Sequence, residues 1–302
     1  MLCLDSGAYS IWNESYKKGT ILSDADLRKY MDEYAAFVKE NIATLTLYIN
    51  VDLPFSPSKT YENQKYLEKE HGLSPLPVVH PGENISWLKK YVDEGYPYVG
   101  IGCMGASTVG KQTWIKATGD PFFNFICDTP NKLPRIKTHA FAAASPEIFV
   151  KYPWFSVDSA SWVIYGKYGG IIIPKKTKGK YDYSIAPYLI KTSWKNHHIN
   201  IQGTHIDNIT GIQRNEFLDY FEMHGLKLGI SEFKKVSQGY ELQENETWVS
   251  SKKKDEVEII FEKGLCNDYR IRDDANLYYF LDMEKQIPEY PWAYYNKTRR
   301  LF

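Results

Sequence analysis

The chain has 302 residues, 43% of them hydrophobic, enough for one large domain or a domain with an appendage, and no apolar run approaches the roughly 20 residues of a membrane span. Lys plus Arg equals Asp plus Glu at 37 each, which removes bulk attraction to nucleic acid and leaves only a local patch to supply it. Cys3, Cys103, Cys127 and Cys266 form no Cys-x-x-Cys, which excludes a structural zinc cluster and a disulfide framework; with no signal peptide ahead of the first strand, a soluble cytoplasmic protein is expected.

The first half alternates strand and helix. A strand near 2–5 precedes a helix from Asp24 to Asn41. There Leu27, Tyr30, Met31, Tyr34, Phe37 and Val38 fall at helical spacing, and Ser23 with Asp26 resembles a capping box. After a strand near 46–51, Pro54 and Pro57 break the chain ahead of a helix over about 60–70, closed by Gly72. Residues 76–80 form the third strand, and their helix near 84–94 carries Ile85, Leu88, Tyr91 and Val92 and stops at Gly95. The fourth strand is Tyr98–Gly102, with a helix near 108–117. The fifth is Arg135–Phe141, after which Ser145-Pro146-Glu147 opens a helix, and the sixth is Trp154–Asp158.

Six such units in about 160 residues predict a parallel sheet with right-handed crossovers. They favour an α/β fold of the TIM-like (β/α)8 barrel type, shortened or irregular, over a doubly wound sheet; Gly100-Ile-Gly102-Cys-Met-Gly105 is not expected to serve as the dinucleotide fingerprint of the latter, and no nicotinamide, flavin or other cofactor is expected. The second half is less regular. Gly169–Pro174 leads into Lys175-Lys176-Thr177-Lys178-Gly179-Lys180, the most basic stretch of the chain. A helix near 213–224, strands within 228–262 and a helix near 273–286 follow. Residues 1–175 are thus expected to hold the main barrel and the active site. Residues 176–302 complete the barrel and add a mixed α/β extension.

Three strands end at an aspartate: Asp5, Asp52 and Asp158. The C-terminal ends of the strands form the functional face of a β/α repeat, so three acids there suggest a site built from carboxylates. Each also has an ordinary reading as a cap or turn residue. Functionally, Asp158 is a nucleophile or general base in a pocket rimmed by Trp154 and Trp162, able to attack a sugar anomeric carbon. Asp5 is its acid/base partner, followed by Ser6 and Gly7, whose small side chains let another molecule approach. Asp52 can accept two N–H bonds from an amidine-like edge such as N1 and N2 of guanine. Gly100 and Gly102 fit either close approach of a flat ligand or plain sheet packing. His80 and His139 are structural histidines or, with the aspartates, a metal set; His197, His198 and His205 stay unassigned. Lys175, Lys176 and Lys178 form a solvated loop or grip phosphates.

Asp5-Ser-Gly-Ala-Tyr9 resembles the Asp-Ser-Gly-Gly-Phe/Tyr motif of the tRNA-guanine transglycosylase superfamily. Gly100-Ile-Gly102 is similar to its Gly-Gly-Leu segment, and Ala144-Ser-Pro-Glu147 to its Gly-Thr-Pro-Glu helix start. His139-Ala-Phe141…Ser145 and Pro153-Trp-Phe-Ser-Val-Asp-Ser-Ala-Ser-Trp162 look closest to the phage-type relatives that act on DNA, the DNA 7-deazaguanine transglycosylases. The resemblance covers about residues 1–170. It implies that Asp158 is the nucleophile at C1′, that Asp5 is the general acid/base and that Asp52 reads the N1/N2 edge. It further implies that Tyr9 and Phe141 stack on the two faces of the base and that the 100–102 backbone meets O6. Its implied partners are DNA, with tRNA as the alternative polymer, and a free 7-deazaguanine base of the preQ0 type; a homodimer is an analogy only.

The chain also departs from the family. His80-Pro81-Gly82 stands where the family has Gln-Gly-Gly, at the base-selecting contact. The family's Cys-x-Cys-x-x-Cys zinc site is missing, so no metal is expected, and the Asp-Ser-Gly strand lacks the family's preceding sequence, which implies a barrel closed differently. A metal-dependent TIM-barrel hydrolase using His80, His139 and the aspartates is the rival enzyme, and a non-catalytic DNA-binding protein the third reading.

Overall fold

The computed structural model describes residues 2–17, 23–102, 110–143, 145–197 and 205–296. Cys103, Ala144, His198 and the opening residues 108–109 of the expected 108–117 helix lie outside them. The chain forms two compact units. One is made by the chain up to Ser159 with a returning segment from Glu289, the other by Ala160–Pro288.

The first unit carries parallel strands in chain order: β1 (Cys3–Leu4), β2 (Leu47–Tyr48), β3 (Val78–Val79), β4 (Tyr98–Gly102), β5 (Lys137–Phe141) and β6 (Ser156–Val157). Strands β3 to β6 form one four-stranded parallel sheet, and β1 pairs with β2. A parallel bridge, Ile49 to Leu76, joins the two pieces, with Asn50 N donating to Leu76 O at 3.0 Å and Leu76 N to Tyr48 O at 2.8 Å. The order of the described strands contains no reversal, the feature at which doubly wound sheets hold dinucleotides. Gly100, Gly102 and Gly105 do stand at the G-x-G-x-x-G spacing of a dinucleotide fingerprint. At Gly100 the reason is local: a Cβ there would lie 2.2 Å from Phe141 Cε2.

Register decides which side chains share a face. Gly100 is level with His139, and His139 with Ser156. Side chains alternate along a strand, so Tyr98, Gly102, Phe141 and Asp158 fall on that same face. By the same count Val78 and His80 join them, because Val78 is level with Gly100. Through Ile49 and Leu76, so do Leu47, Cys3 and Asp5. Ile49, Leu76 and Val78 are buried there against Leu47, Tyr98 and Phe141.

Helices cover the other side. α1 (Ala8–Lys17) starts directly after the Asp5-Ser6-Gly7 turn, a helix not expected from the sequence. α2 (Asp24–Asn41) is capped as expected, with Ser23 Oγ accepting from Asp26 N at 3.1 Å. It buries Leu27, Met31, Tyr34, Ala35 and Val38, while Phe37 faces solvent. α3 (Pro57–His71) begins at Pro57, which opens the helix rather than preceding it, since the first turn needs no proline N–H. α4 (Ser86–Asp93) follows β3. The expected 108–117 helix extends much further. α5 (Lys111–Trp114) passes through a π-helical stretch, Ile115–Gly119, into α6 (Asp120–Ile126), and Asp120-Pro121 opens α6 instead of ending the run. α7 (Pro146–Lys151) has its proline in the first turn, with no side-chain capping bond from Ser145.

The eight-stranded closure is not drawn by the described strands. In the second unit, α8 (Ser161–Lys167) leads to β7 (Gly170–Ile173), which pairs antiparallel with β10 (Tyr188–Lys191). The connection between them is a hairpin, β8 (Lys175–Thr177) and β9 (Lys180–Asp182), not the helix that a parallel crossover requires. The lysine run is therefore a strand and turn rather than an open loop. Lys178 and Gly179 sit at its tip with φ of 52° and 77°, as a two-residue hairpin turn demands. Strands β11 (Ile230–Lys235), β12 (Glu246–Trp248) and β13 (Glu256–Glu262) form a separate antiparallel sheet. α9 (Gly211–Met223) contributes Phe217, Tyr220 and Phe221, and α10 (Tyr269–Gln286) contributes Ala275, to a core around Ile171, Ile173 and Ile190. No helix among the described residues is long and apolar enough to cross a membrane.

Candidate active site

The turn after β1 is built around a carboxylate. Gly7 takes φ 70°, a left-handed conformation, and a Cβ there would stand 3.0 Å from the Tyr30 hydroxyl. Tyr30 donates to Ser6 O in a very short hydrogen bond, and the buried Ser6 accepts from Ala8 N at 3.4 Å through its Oγ. Ser6 is thus part of the frame of the turn. Burial of its surroundings raises the pKa of Asp5 above the usual carboxylate range, and the negative charge of Asp52 adds to this. The backbone N–H groups of Ser6 and Gly7 oppose the shift, and Asp158 adds a smaller push upward. The thiol of Cys3 is likewise raised by burial and by the charges of Asp158 and Asp5. Asp52 and Asp158, which the sequence placed on separate strand ends, are therefore both within electrostatic reach of Asp5.

Asp52 is held by α3. Asn63 Nδ2 donates to Val51 O at 2.7 Å, Asn50 Nδ2 to Thr60 O at 2.8 Å, and Leu53 N to Thr60 Oγ1 at 2.9 Å. Its carboxylate is already engaged. His80 Nε2 lies 2.9 Å from Asp52 Oδ2, near enough to pair although off the axis of a well-directed N–H bond. Burial lowers the pKa of His80, but the contact with Asp52, the charge of Asp52 and that of Glu83 outweigh it, so the net shift is upward. Glu83 accepts from His80 N at 3.0 Å, and its own pKa is raised, chiefly by burial. His80 thus stands beside Asp52 rather than as an isolated base-selecting side chain. A carboxylate has about four lone-pair directions, so Asp52 retains acceptor capacity for a ligand edge.

Asp158 is gripped on one oxygen. Its Oδ1 accepts from Ala142 N at 2.9 Å and lies 3.2 Å from His139 Nε2. Its Oδ2 has no partner among the described residues, and the side chain is 54% exposed. Ala142 carries φ 51°, a left-handed conformation that costs a non-glycine residue on the order of 1 kcal/mol and here aims its N–H at the carboxylate. Asp158 N donates to Ala140 O at 3.1 Å and Ala143 N to Asp158 O at 3.0 Å, which lock the acid to β5. His139 is buried.

The aromatic and glycine positions divide. The Phe141 ring fills the space over Gly100 and meets His139 edge-on at 4.4 Å between centroids. Gly100 N donates to Pro77 O at 2.8 Å, so residue 100 supplies no free amide for a ligand carbonyl. Gly102 abuts Pro81 and His80, where a Cβ would stand 3.2 and 3.3 Å from their nearest atoms. Tyr9 is exposed on α1. Trp154 forms no pocket rim: it is buried, with Nε1 donating to Ile148 O at 3.0 Å. Trp162 belongs to α8 of the second unit. In that unit Lys175 lies over the Tyr188 ring, Lys176 pairs with Asp219 at 3.1 Å, and Lys178 is at the hairpin tip.

Ser156, Tyr98, Glu83 and Ala142 join the site without having been singled out for it, and His139, expected as a structural or metal-binding histidine, joins it as the neighbour of Asp158. Parity was the available signal for His139, Ser156 and Tyr98: His139 and Ser156 each stand two residues before a candidate residue on neighbouring strands. Among the described residues no group of three or more His, Cys, Asp or Glu side chains is arranged to hold a metal ion. A groove of about 730 Å³ lies at the opposite, N-terminal ends of β2 to β4, where Lys65 is tied to Glu68, Glu94 and Tyr96; it is not this site. No family model, curated protein or solved structure matches the chain.

Proposed function

We propose that this protein is a base-exchange transglycosylase of the tRNA-guanine transglycosylase superfamily. It replaces guanine in DNA with a 7-deazaguanine of the preQ0 type, on a (β/α) barrel whose closure departs from eight regular units. The observation that carries the reading is the asymmetry at Asp158. One oxygen is pinned and the other is open, on the face that also bears Asp5, whose carboxyl is biased toward its protonated form.

The chemistry follows from those two states. Asp158 Oδ2 attacks C1′ of the target nucleoside, and the C1′–N9 bond breaks with its electron pair going to the purine. Asp5 gives that purine a proton as it leaves. The incoming base loses its N9 proton to the Asp5 carboxylate and attacks C1′. The C1′–Oδ2 bond then breaks and the Asp158 carboxylate returns. Two displacements give net retention, and the target base must be flipped out or single-stranded. Asp52, backed by His80, accepts from the N1/N2 edge, while Phe141 and Tyr9 offer ring faces. Lys175 and Lys178 are the phosphate contacts, with Lys176 partly neutralised by Asp219. In the rival metal-dependent hydrolase His80 and His139 would share one ion, yet each engages a different carboxylate.

The test is incubation with DNA or with tRNA and labelled guanine or preQ0, followed by nucleoside mass analysis. Label entering deoxyguanosine positions supports the reading, label in tRNA alone changes the polymer, and label in neither refutes it.

A further inference from the structure

Asp158 is one end of a chain of four side chains. The Tyr98 hydroxyl sits 2.5 Å from Ser156 Oγ, and Ser156 Oγ sits 2.6 Å from His139 Nδ1. His139 Nε2 then reaches Asp158 Oδ1 at 3.2 Å. All four lie on the same face of three adjacent strands, at the levels that the pairing of β4, β5 and β6 dictates.

Proton positions follow from what each group can do. An ionised carboxylate only accepts, so Nε2 must carry the hydrogen. A neutral imidazole has a single N–H, so Nδ1 accepts, and the hydrogen it accepts is that of Ser156 Oγ. The serine oxygen in turn receives the Tyr98 O–H. Burial holds the phenol of Tyr98 above its ordinary pKa, against the opposing hydrogen bond to Ser156, so at neutral pH it remains a donor. Every bond in the chain then points toward Asp158. A His139 with its proton on Nδ1 could still donate to Ser156 Oγ, which accepts two hydrogen bonds, but it would lose the contact with Asp158 and leave the Ser156 O–H without its acceptor.

We propose that His139 is a positioning residue for the nucleophile: held as the Nε2–H tautomer by the Tyr98–Ser156 pair, it fixes Asp158 Oδ1 and leaves Oδ2 to attack. This rests on the reading of Asp158 as the nucleophile. While the glycosyl ester exists, Oδ1 is its carbonyl oxygen. When the second displacement breaks the C1′–Oδ2 bond, negative charge returns to the carboxylate, and the Ala142 and His139 N–H groups receive it at Oδ1. Loss of His139 therefore slows turnover more than it weakens binding.

Two measurements test this, and the first needs no activity. In ¹⁵N–¹H long-range correlation spectra at neutral pH, His139 should show the Nε2–H pattern in the wild type, an averaged pattern in S156A and a displaced Nε2–H signal in D158N. An Nδ1–H or imidazolium pattern in the wild type overturns the proposal whatever the protein catalyses. In base exchange on a labelled oligonucleotide, H139F should lose about 10- to 100-fold in kcat with KM within about twofold. H139Q, which returns an N–H near the position of Nε2, should recover most of that loss. Equal losses in the two variants, or a change confined to KM, overturn it. If H139F does not fold, S156A takes its place, with an expected fall in kcat of about 3- to 10-fold. A wild type that exchanges no base removes the transglycosylase reading, and the spectra still decide whether His139 donates to Asp158.

Discussion

Replacing Gly100 with Ala probes the packing on which the site is built. A Cβ there would stand 2.2 Å from Phe141 Cε2 and 3.1 Å from both Cδ2 and Cζ. Neither partner can yield cheaply. Gly100 is mid-strand, its N–H bonded to Pro77 O at 2.8 Å, and the Phe141 ring abuts buried His139. Overpacking a fitted core costs about 1–3 kcal/mol, and a contact this short belongs at the upper end, near 3 kcal/mol. For a unit of this size that corresponds to a fall in Tm of roughly 6–12 °C. Gly102→Ala is the control. Its closest approaches would be 3.2 and 3.3 Å, so a cost below about 1 kcal/mol is expected. Phe141→Leu removes the clashing ring atom, so G100A and F141L should be coupled by at least about 1 kcal/mol in a double-mutant cycle. Urea unfolding at constant m-value and thermal melts give both numbers. Strict additivity, or equal costs for G100A and G102A, would refute the placement of the Phe141 ring over Gly100.

Other variants report on the electrostatics and the strain. Asp5 has a raised folded pKa, so its protonated form is the one the fold prefers. The stability it supports is full below the ordinary 3.8 and declines as pH climbs through the raised value. D5N should therefore melt higher than the wild type at pH 7, with the gap closing as pH drops below 3.8, while base exchange is lost; a D5N protein less stable at pH 7 contradicts the assignment. His80 is also raised, so its contribution is full below 6.5 and lost as pH rises through its folded value. In H80Q that part of the pH–stability slope above 6.5 should disappear from urea midpoints, and an unchanged slope would assign it elsewhere. Ala142→Gly should relieve the left-handed backbone at φ 51° and raise stability by about 0.5–1 kcal/mol, net of the greater chain entropy of glycine; destabilisation would mean that no strain is stored there.

The alternation of strand and helix through Asp158 was legible because each half-buried element kept its period and its punctuation. Ser23 before α2 and Gly72 after α3 mark helix ends that the structure also has. α1 was not read because Ser6 and Gly7 look like a turn and nothing more, while the structure uses Ser6 Oγ and the αL Gly7 to start a helix. The helix expected near 108–117 runs on through a π-helical stretch into Asp120–Ile126, because Pro121 falls in a first turn, where its missing N–H costs nothing. The lysine run lost its strand character to composition, although Tyr181 between Lys180 and Asp182 packs on the second core. The three acids were found from strand ends alone. What they touch was not, because His139 and Asp158 lie 19 residues apart and His80 pairs with Asp52 across β2 and β3. Such contacts follow from register, which a sequence states only once its strands are paired.

The central claim is that Asp158 forms a bond to sugar carbon, and the most direct measurement is the intact mass of the protein after quenched incubation with a guanine-containing oligodeoxynucleotide. The account predicts a wild-type species heavier by the oligonucleotide less one guanine, with the added mass on the peptide containing Asp158 and none in D158N. An adduct on another residue, or one that persists in D158N, would contradict it.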